Sequence, residues 1–296
     1  MSKNSSLLFP LQIICLFILF VACHKNDSAE NTVPFSSTPI AKRIDPGFVD
    51  EASGIADSKA NAGYVWVEQD GGNPNDITLL SHDAVILKKV NIKSAINRDW
   101  EEMALSSGPV AGTNYVYIAD IGDNNKVYTQ YSIYRFAEPL VSIDTVTAYD
   151  EIRFQYPDGP HDAEAMIVNP SSKDIYIITK QDAVSRIYKL SYPQNTAGVN
   201  TAVYTGSLQF TGATGAAISM TGDELLVKTY TTIYYWKRVG SETIEQTLQK
   251  TPVTLSYQQE PQGEAICFKN DNTGFYTLSE RPSIVSAADL NFYKRK

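Results

Sequence analysis

The chain has 296 residues, 43% of them hydrophobic, with 18 tyrosines and a net charge of −8. That is enough apolar surface for a sizeable core and is rich in strand formers. No basic block exists, which excludes nucleic acid as a partner. Three cysteines and three histidines without ligand spacing exclude a disulfide framework and fit zinc poorly.

The chain opens with Lys3 and then Leu7 to Ala22, apolar except for Gln12 and interrupted by Pro10. This run is short for a spanning helix and has no stop-transfer flank, so it reads as an export signal. It ends in Phe20-Val21-Ala22-Cys23, which resembles a bacterial lipobox, with Phe in place of the usual Leu. Residues 1–22 are therefore expected to be a lipoprotein signal peptide and Cys23 to be lipidated, with an ordinary secretory signal as the alternative. Residues 23–38 are polar and rich in Ser, Thr, Asn and Pro, as a flexible tether requires. The expected location is the bacterial cell envelope, outside the cytoplasm and anchored to membrane through lipid on Cys23. Cys15 leaves with the signal and Cys23 is modified, so Cys267 stands alone and no internal disulfide is expected.

Residues 39–296 carry an internal repeat. Its copies are Glu51-Ala-Ser53-Gly-Ile55, Asp99-Trp-Glu101-Glu-Met103, Asp162-Ala-Glu164-Ala-Met166, Thr214-Gly-Ala216-Ala-Ile218 and Gln262-Gly-Glu264-Ala-Ile266. They recur at intervals of roughly 50 residues, longest between Asp99 and Asp162. A second apolar run follows each copy, starting at Tyr64, Tyr115, Ile175, Leu225 and Phe275. Turn residues such as Asn169-Pro170 and Asn270-Asp-Asn-Thr-Gly274 separate the runs. Third strands are predicted at Ile77–Leu80, Tyr131–Phe136, Arg186–Leu190, Thr232–Lys237 and Leu290–Lys294, and fourth strands at places such as Val85–Ile92 and Glu151–Tyr156.

Four strands per unit of this length make a propeller blade. The predicted fold is all-β, a single β-propeller domain of five four-stranded blades. The last unit lacks a fourth strand, and Pro39–Asp45 is expected to supply it and close the ring. A sixth blade inside the long interval is the alternative.

Several motifs together, Asp99-Trp100-Glu101, Asp120-Ile-Gly-Asp123-Asn124, Arg135-Phe-Ala-Glu138-Pro139, Tyr156-Pro-Asp158-Gly159, Asp162-Ala-Glu164-Ala165 and Gln262-Gly-Glu264-Ala265, resemble a family of uncharacterised exported bacterial propellers. More distantly the blade pattern is similar to esterase-like phytase and gluconolactonase-type propellers. That likeness implies acidic channel residues that hold calcium.

In a propeller the repeat strand is innermost and the next strand runs antiparallel beside it. The starts of the first and the ends of the second therefore meet at one channel mouth. Glu51, Asp99, Glu101, Asp162, Glu164 and Glu264 lie at the starts. Asp70, Asp120, Asp123, Lys180, Lys228, Glu280 and Arg281 lie at or beyond the ends. So many like charges need protons, water or bound cations for relief. An oxygen-ligated cation of calcium's type fits best, with Asn124 completing the set. A recurring acid equally serves as scaffold, capping amides of the next blade.

The fourth copy replaces its acids by Thr214 and Ala216 and leaves a gap beside Lys180 and Lys228. These lysines, with Arg281, His161 and Trp100, are the candidates for holding an anionic or ring-shaped ligand. Glycine-elbow hydrolase, zincin and phosphate-loop motifs are absent, and no catalytic residue is assigned. The expected function is a lipid-anchored binding module with a calcium-binding mouth and an unidentified small-molecule or protein ligand, acting as a monomer. A calcium-dependent esterase or phosphoesterase is the alternative.

Overall fold

The computed structural model describes Met1, residues 33–281 and residues 288–296. The apolar run from Leu7 and Cys23 lie outside the described residues, and among those described no helix is long and apolar enough to cross a membrane. Residues Val33–Lys296 form one compact unit.

The closing strand β1 spans Ile40–Arg43. Blade 1 holds β2 (Ala52–Asp57), β3 (Tyr64–Gln69), β4 (Asp76–Ser81) and β5 (Ile86–Ile92). Blade 2 holds β6 (Trp100–Ser107), β7 (Asn114–Asp120) and β8 (Tyr131–Ala137), then, after the short β9 (Thr145–Val146), β10 (Asp150–Gln155). Blade 3 has β11 (Ala163–Val168), β12 (Ile175–Thr179) and β13 (Arg186–Leu190), then, after the short β14 (Val199–Thr201), β15 (Val203–Ser207). Blade 4 has β16 (Gly215–Ile218), β17 (Glu224–Lys228), β18 (Ile233–Lys237), a single helical turn α1 (Ile244–Leu248) and β19 (Val253–Leu255). Blade 5 has β20 (Gln262–Phe268), β21 (Gly274–Glu280) and β22 (Asp289–Lys294).

These form five separate sheets, and the fold is a five-bladed β-propeller. The innermost strands pack in the closed ring β2, β6, β11, β16, β20 and back to β2. β1 completes blade 5 by pairing antiparallel with β22, Ile40 opposite Phe292 and Arg43 opposite Asp289.

The long interval holds no sixth blade. Its extra residues run from blade 2 over blade 1, where β9 pairs in parallel with β5. Glu138 anchors the excursion, accepting hydrogen bonds from Lys59 N (3.0 Å), Ala60 N (3.0 Å) and Trp66 Nε1 (3.2 Å). β14 extends blade 2 in the same way, pairing in parallel with β10.

Each gap between neighbouring blades is filled by its own apolar cluster, so both faces of most strands are buried. Trp66 faces Trp100 and Met103 across the blade 1–2 gap, while Val65 and Val67 face Leu278 and Leu290 across the blade 5–1 gap. This two-sided burial explains why runs such as Ile175-Tyr-Ile-Ile-Thr179 show no polar alternation.

Residues just before Pro39 pack on the propeller. Phe35 is buried against Tyr235 and Phe275, with ring centroids 5.7 and 4.9 Å away. Ser36 N donates to Lys294 O at 2.8 Å, and Phe35 bridges Arg295. Aromatic burial and edge pairing thus tie residues before Pro39 to blades 4 and 5.

Candidate functional site

The strand register brings the repeat starts and the second-strand ends together. Trp100 is opposite Asp120, Ala163 opposite Thr179, Gly215 opposite Lys228 and Gln262 opposite Glu280. Four of the five inner strands carry a β-bulge at one shared position, occupied by Ser53, Glu101, Glu164 and Glu264. A bulge adds an unpaired residue and re-aims its side chain. Here it turns Ser53, Glu101, Glu164 and Glu264 onto their neighbours around the mouth. Blade 4, with Ala216 at this place, pairs without a bulge.

The result is a cluster of carboxylates. Oxygens of Asp70, Asp99 and Glu101 lie within 4.8 Å of one another, and so do those of Glu101, Asp162 and Glu164. Glu101 belongs to both sets, is 4% exposed, and its side chain makes no hydrogen bond or ion pair among the described residues. Asp162 uses Oδ1 to accept from Asp123 N at 2.8 Å, while its buried Oδ2 has no partner. Glu164 Oε1 receives the Lys180 ammonium, and its buried Oε2 has none.

Gly71 and Gly122 have ordinary φ angles; space is what requires them. A Cβ on Gly71 would strike Asp99 Oδ1, and one on Gly122 would strike Glu101 Oε1 and Asp99 Oδ2.

On the blade 4–5 side the ring is closed by hydrogen bonds. Tyr230 OH donates to Glu264 Oε1 (2.8 Å) and accepts from Lys180 Nζ (3.0 Å), and Ser53 Oγ donates to Glu264 Oε2 (3.1 Å). Glu280 receives Gln262 Nε2.

Two further carboxylates lie in the layer beneath. Glu102 stands where the other bulged repeats have Gly54, Ala165 and Ala265. It reaches across the axis to accept from Ala216 N at 2.7 Å, as well as from Met103 N at 3.0 Å. Glu68 stands where other blades have Ala119, Ile178, Val227 and Leu278. It is fully buried, with the Gly54 backbone beside its carboxylate and, among the described residues, no hydrogen bond of good geometry to either oxygen.

Burial first, and crowding of like charges second, set the protonation. Burial pushes Glu101 and Glu164 well above the usual carboxylate range, Glu101 further by Glu164 and Glu164 further by Glu264. Burial also raises Asp99 and Asp162, and lifts Asp70 and Asp120 each to about 6. Glu280 is pushed up to about 9 by burial and then by Glu264. Burial likewise holds Glu68 and Glu102 well above their ordinary value.

The remaining candidates sit elsewhere. Glu51 is exposed on the rim, where its Oε2 accepts from Asn73 Nδ2 at 2.7 Å. Asp120 Oδ1 accepts from Asp99 N at 2.8 Å. Asp123 is enclosed by Val127 N (2.9 Å), Tyr128 N (2.9 Å) and Tyr131 OH (2.8 Å), which makes it a loop brace. Asn124 is exposed and accepts from Gln181 Nε2 at 2.6 Å.

His161 is boxed in by Asp182 at 3.0 Å, Tyr188 OH at 2.9 Å and Asp158 at 3.2 Å. The Trp100 indole is buried in the blade 1–2 cluster and donates to Ile96 O at 2.9 Å. Lys228 is sealed from solvent, its ammonium on Gly263 O and 3.3 Å from Glu260, with the Tyr257 ring 5.0 Å away. Arg281 braces Asp50 at 2.6 Å.

The sequence reading missed Ser53, Glu68, Glu102 and Tyr230. Glu68 and Glu102 were visible as departures from the repeat, acids where the other copies are small or apolar. Tyr230 has no repeat signal.

Fold and mouth together define a five-bladed propeller with an acidic cup at one end of its axis. No protein-family model matches the chain, and no curated protein matches it. Among solved structures it is similar to two β-propeller enzymes. One is the PQQ-bound aldose sugar dehydrogenase of Streptomyces coelicolor, at 8% identity over 88% of this chain and 100% of that chain, TM-score 0.51. The other is a luciferin-regenerating enzyme, at 10% identity over 86% of this chain and 95% of that chain, TM-score 0.50. At these identities the likeness extends to the fold alone.

Proposed function

We propose that the protein is a binding module of the bacterial cell envelope, held to the membrane by lipid on Cys23, whose acidic mouth takes a divalent cation of calcium's type and offers it to an oxygen-bearing ligand. One observation carries this reading. Glu101, Asp162 and Glu164 are all buried with their oxygens within 4.8 Å, and Asp162 Oδ2 and Glu164 Oε2 have no hydrogen-bond partner. Buried carboxylate oxygens without donors are costly, and a cation supplies the missing charge. The donors are all carboxylate oxygens, which suits calcium and not zinc. Bound there, the ion would polarise a ligand oxygen, with waters filling its remaining positions.

Calcium should raise the melting temperature by mass action, about 2.7 kcal/mol of added stability at a hundredfold excess over Kd. Sodium chloride at matched ionic strength is the control, and an equal rise with that salt ends the reading. Cys23→Ser should move the protein from the membrane to the soluble fraction.

A second reading, a calcium-dependent ester or phosphoester hydrolase, is favoured by Tyr230. Its hydroxyl links Lys180 to Glu264 at the rim and is placed to carry a proton. Turnover of such a substrate that needs calcium and is lost in Tyr230→Phe would decide for it.

A further inference from the structure

Lys180 follows β12, and its backbone N donates to Asp162 O at 2.9 Å, which fixes its root beside the mouth. Its ammonium is hydrogen-bonded to Glu164 Oε1. The other oxygen of that carboxylate has no partner, and Glu164 is one of the three acids of the buried set. One carboxylate is therefore claimed from two sides, by an ammonium already present and by the proposed cation.

The ammonium already has a second hold, which does not involve Glu164. Tyr230 OH is 3.0 Å from Lys180 Nζ, and the centre of the Tyr230 ring is 5.1 Å away. The Tyr230 hydroxyl proton is committed to Glu264 Oε1 at 2.8 Å, so its lone pairs are free to face the lysine.

Resting on the cation reading above, we propose that Lys180 is a built-in competitor for the cation site: its ammonium neutralises Glu164 in the empty mouth, and a divalent ion bound by Glu101, Asp162 and Glu164 drives it off that carboxylate, leaving it held by Tyr230 alone. A doubly charged ion and an ammonium on one carboxylate repel each other strongly in a site with little water. A lysine side chain has the freedom to move, and the Tyr230 hydroxyl and ring face keep a hydrogen bond and a cation–π contact on the ammonium after it leaves Glu164. A monovalent ion gains nothing over the ammonium already there. The device thus selects divalent over monovalent ions, and it frees a positive charge at the rim only when the site is loaded.

The test is calorimetric titration of calcium into full-length, chelator-stripped protein, in wild type and in Lys180→Met. Removing the competitor should tighten calcium binding about tenfold or more. A lysine that merely supports the site would give weaker binding when replaced. Because Lys180→Met leaves Glu164 unpaired and could unfold the mouth, a second measurement uses the wild-type chain. Acetylation of Lys180 by acetic anhydride, followed by peptide mass, should rise several-fold with calcium but not with sodium chloride at equal ionic strength. Unchanged or weaker calcium binding in Lys180→Met, or labelling indifferent to calcium, overturns the competition and leaves the cation reading standing. No calcium uptake by either protein overturns both.

Discussion

Blades 2 and 3 contain two acid-rich regions built from the same residue types, and they titrate in opposite directions. In the loop region Asp158 accepts from Tyr188 OH (2.9 Å) and Arg186 Nη1 (2.6 Å) and faces His161, and Asp182 pairs with Lys126 (3.1 Å) and His161 (3.0 Å). Burial pushes both acids up, but hydrogen bonds from Tyr188 and His161 to Asp158, and from Thr179 and Lys126 to Asp182, outweigh it and hold them below the usual range. At the mouth, Glu101 and Glu164 have burial and like charge without enough donors, and both are driven up. Asp162 stands on the boundary, with one oxygen served by Asp123 N and the other by nothing. The supply of donors, more than the density of acids, separates scaffold from site.

The largest test of that contrast compares one acid from each region. Asp123 accepts two backbone amides and a tyrosine hydroxyl, so Asp123→Ala should cost about 3 kcal/mol, and calcium should not restore it. Glu101 has no donor to lose. Glu101→Gln should leave the metal-free protein as stable as wild type or up to about 1 kcal/mol more stable, while abolishing the calcium-induced gain. Urea denaturation with and without calcium reads both. A Glu101→Gln variant as destabilised as Asp123→Ala would make the two regions one scaffold.

The architecture was legible because five copies of a unit say more than one. The repeat located the inner strands, and the missing last strand pointed to Ile40–Arg43. The mouth was legible only to the extent that it follows the repeat. The bulges that aim Glu101, Glu164 and Glu264 leave no mark in the repeat, since the copy without a bulge, Thr214-Gly-Ala216-Ala-Ile218, has the same spacing. His161 and Trp100 looked available because their partners are remote: Tyr188 and Asp182 enclose the first, and the second turns into a gap shared with Trp66. Lys228 ends β17 much as Lys180 follows β12, yet Gly263 and Glu260 close over it, and Glu260 comes from the loop before β20 and not from the repeat.

A smaller effect should appear with pH. Unfolded carboxyls titrate near 4. Asp70 and Asp120 are raised to about 6 and Glu280 to about 9, so the folded protein binds these protons more tightly than the unfolded chain. Their contribution is fully present below pH about 4 and is lost as pH rises through about 6 and then about 9. Metal-free protein should therefore lose stability from pH 4 upward through this range, and calcium should flatten the decline. The satisfied acids act oppositely: Asp158 and Asp182, held low, lose their contribution only as pH falls below about 4. A metal-free stability that stays level from pH 5 to 9 and falls only below pH about 4 would show that the loop region governs the titration and the mouth does not.

The finest distinction is between two glycines. Gly63 has φ +89° and open space around its Cβ position, whereas Gly122 has an ordinary φ and faces Glu101 Oε1 and Asp99 Oδ2. Gly63→Ala should cost about 1 kcal/mol through backbone strain and leave the calcium response intact. Gly122→Ala forces aside only the ends of two carboxylate side chains, so its cost in metal-free protein should be no larger. Its methyl nevertheless occupies the space in which Asp99 and Glu101 approach each other, and so the calcium-induced rise in melting temperature should shrink. The two variants then dissociate in opposite senses, one losing stability and the other the ion. If Gly122→Ala keeps the full calcium response, Asp99 and Glu101 do not hold the cation together, and the site contracts to Glu101, Asp162 and Glu164.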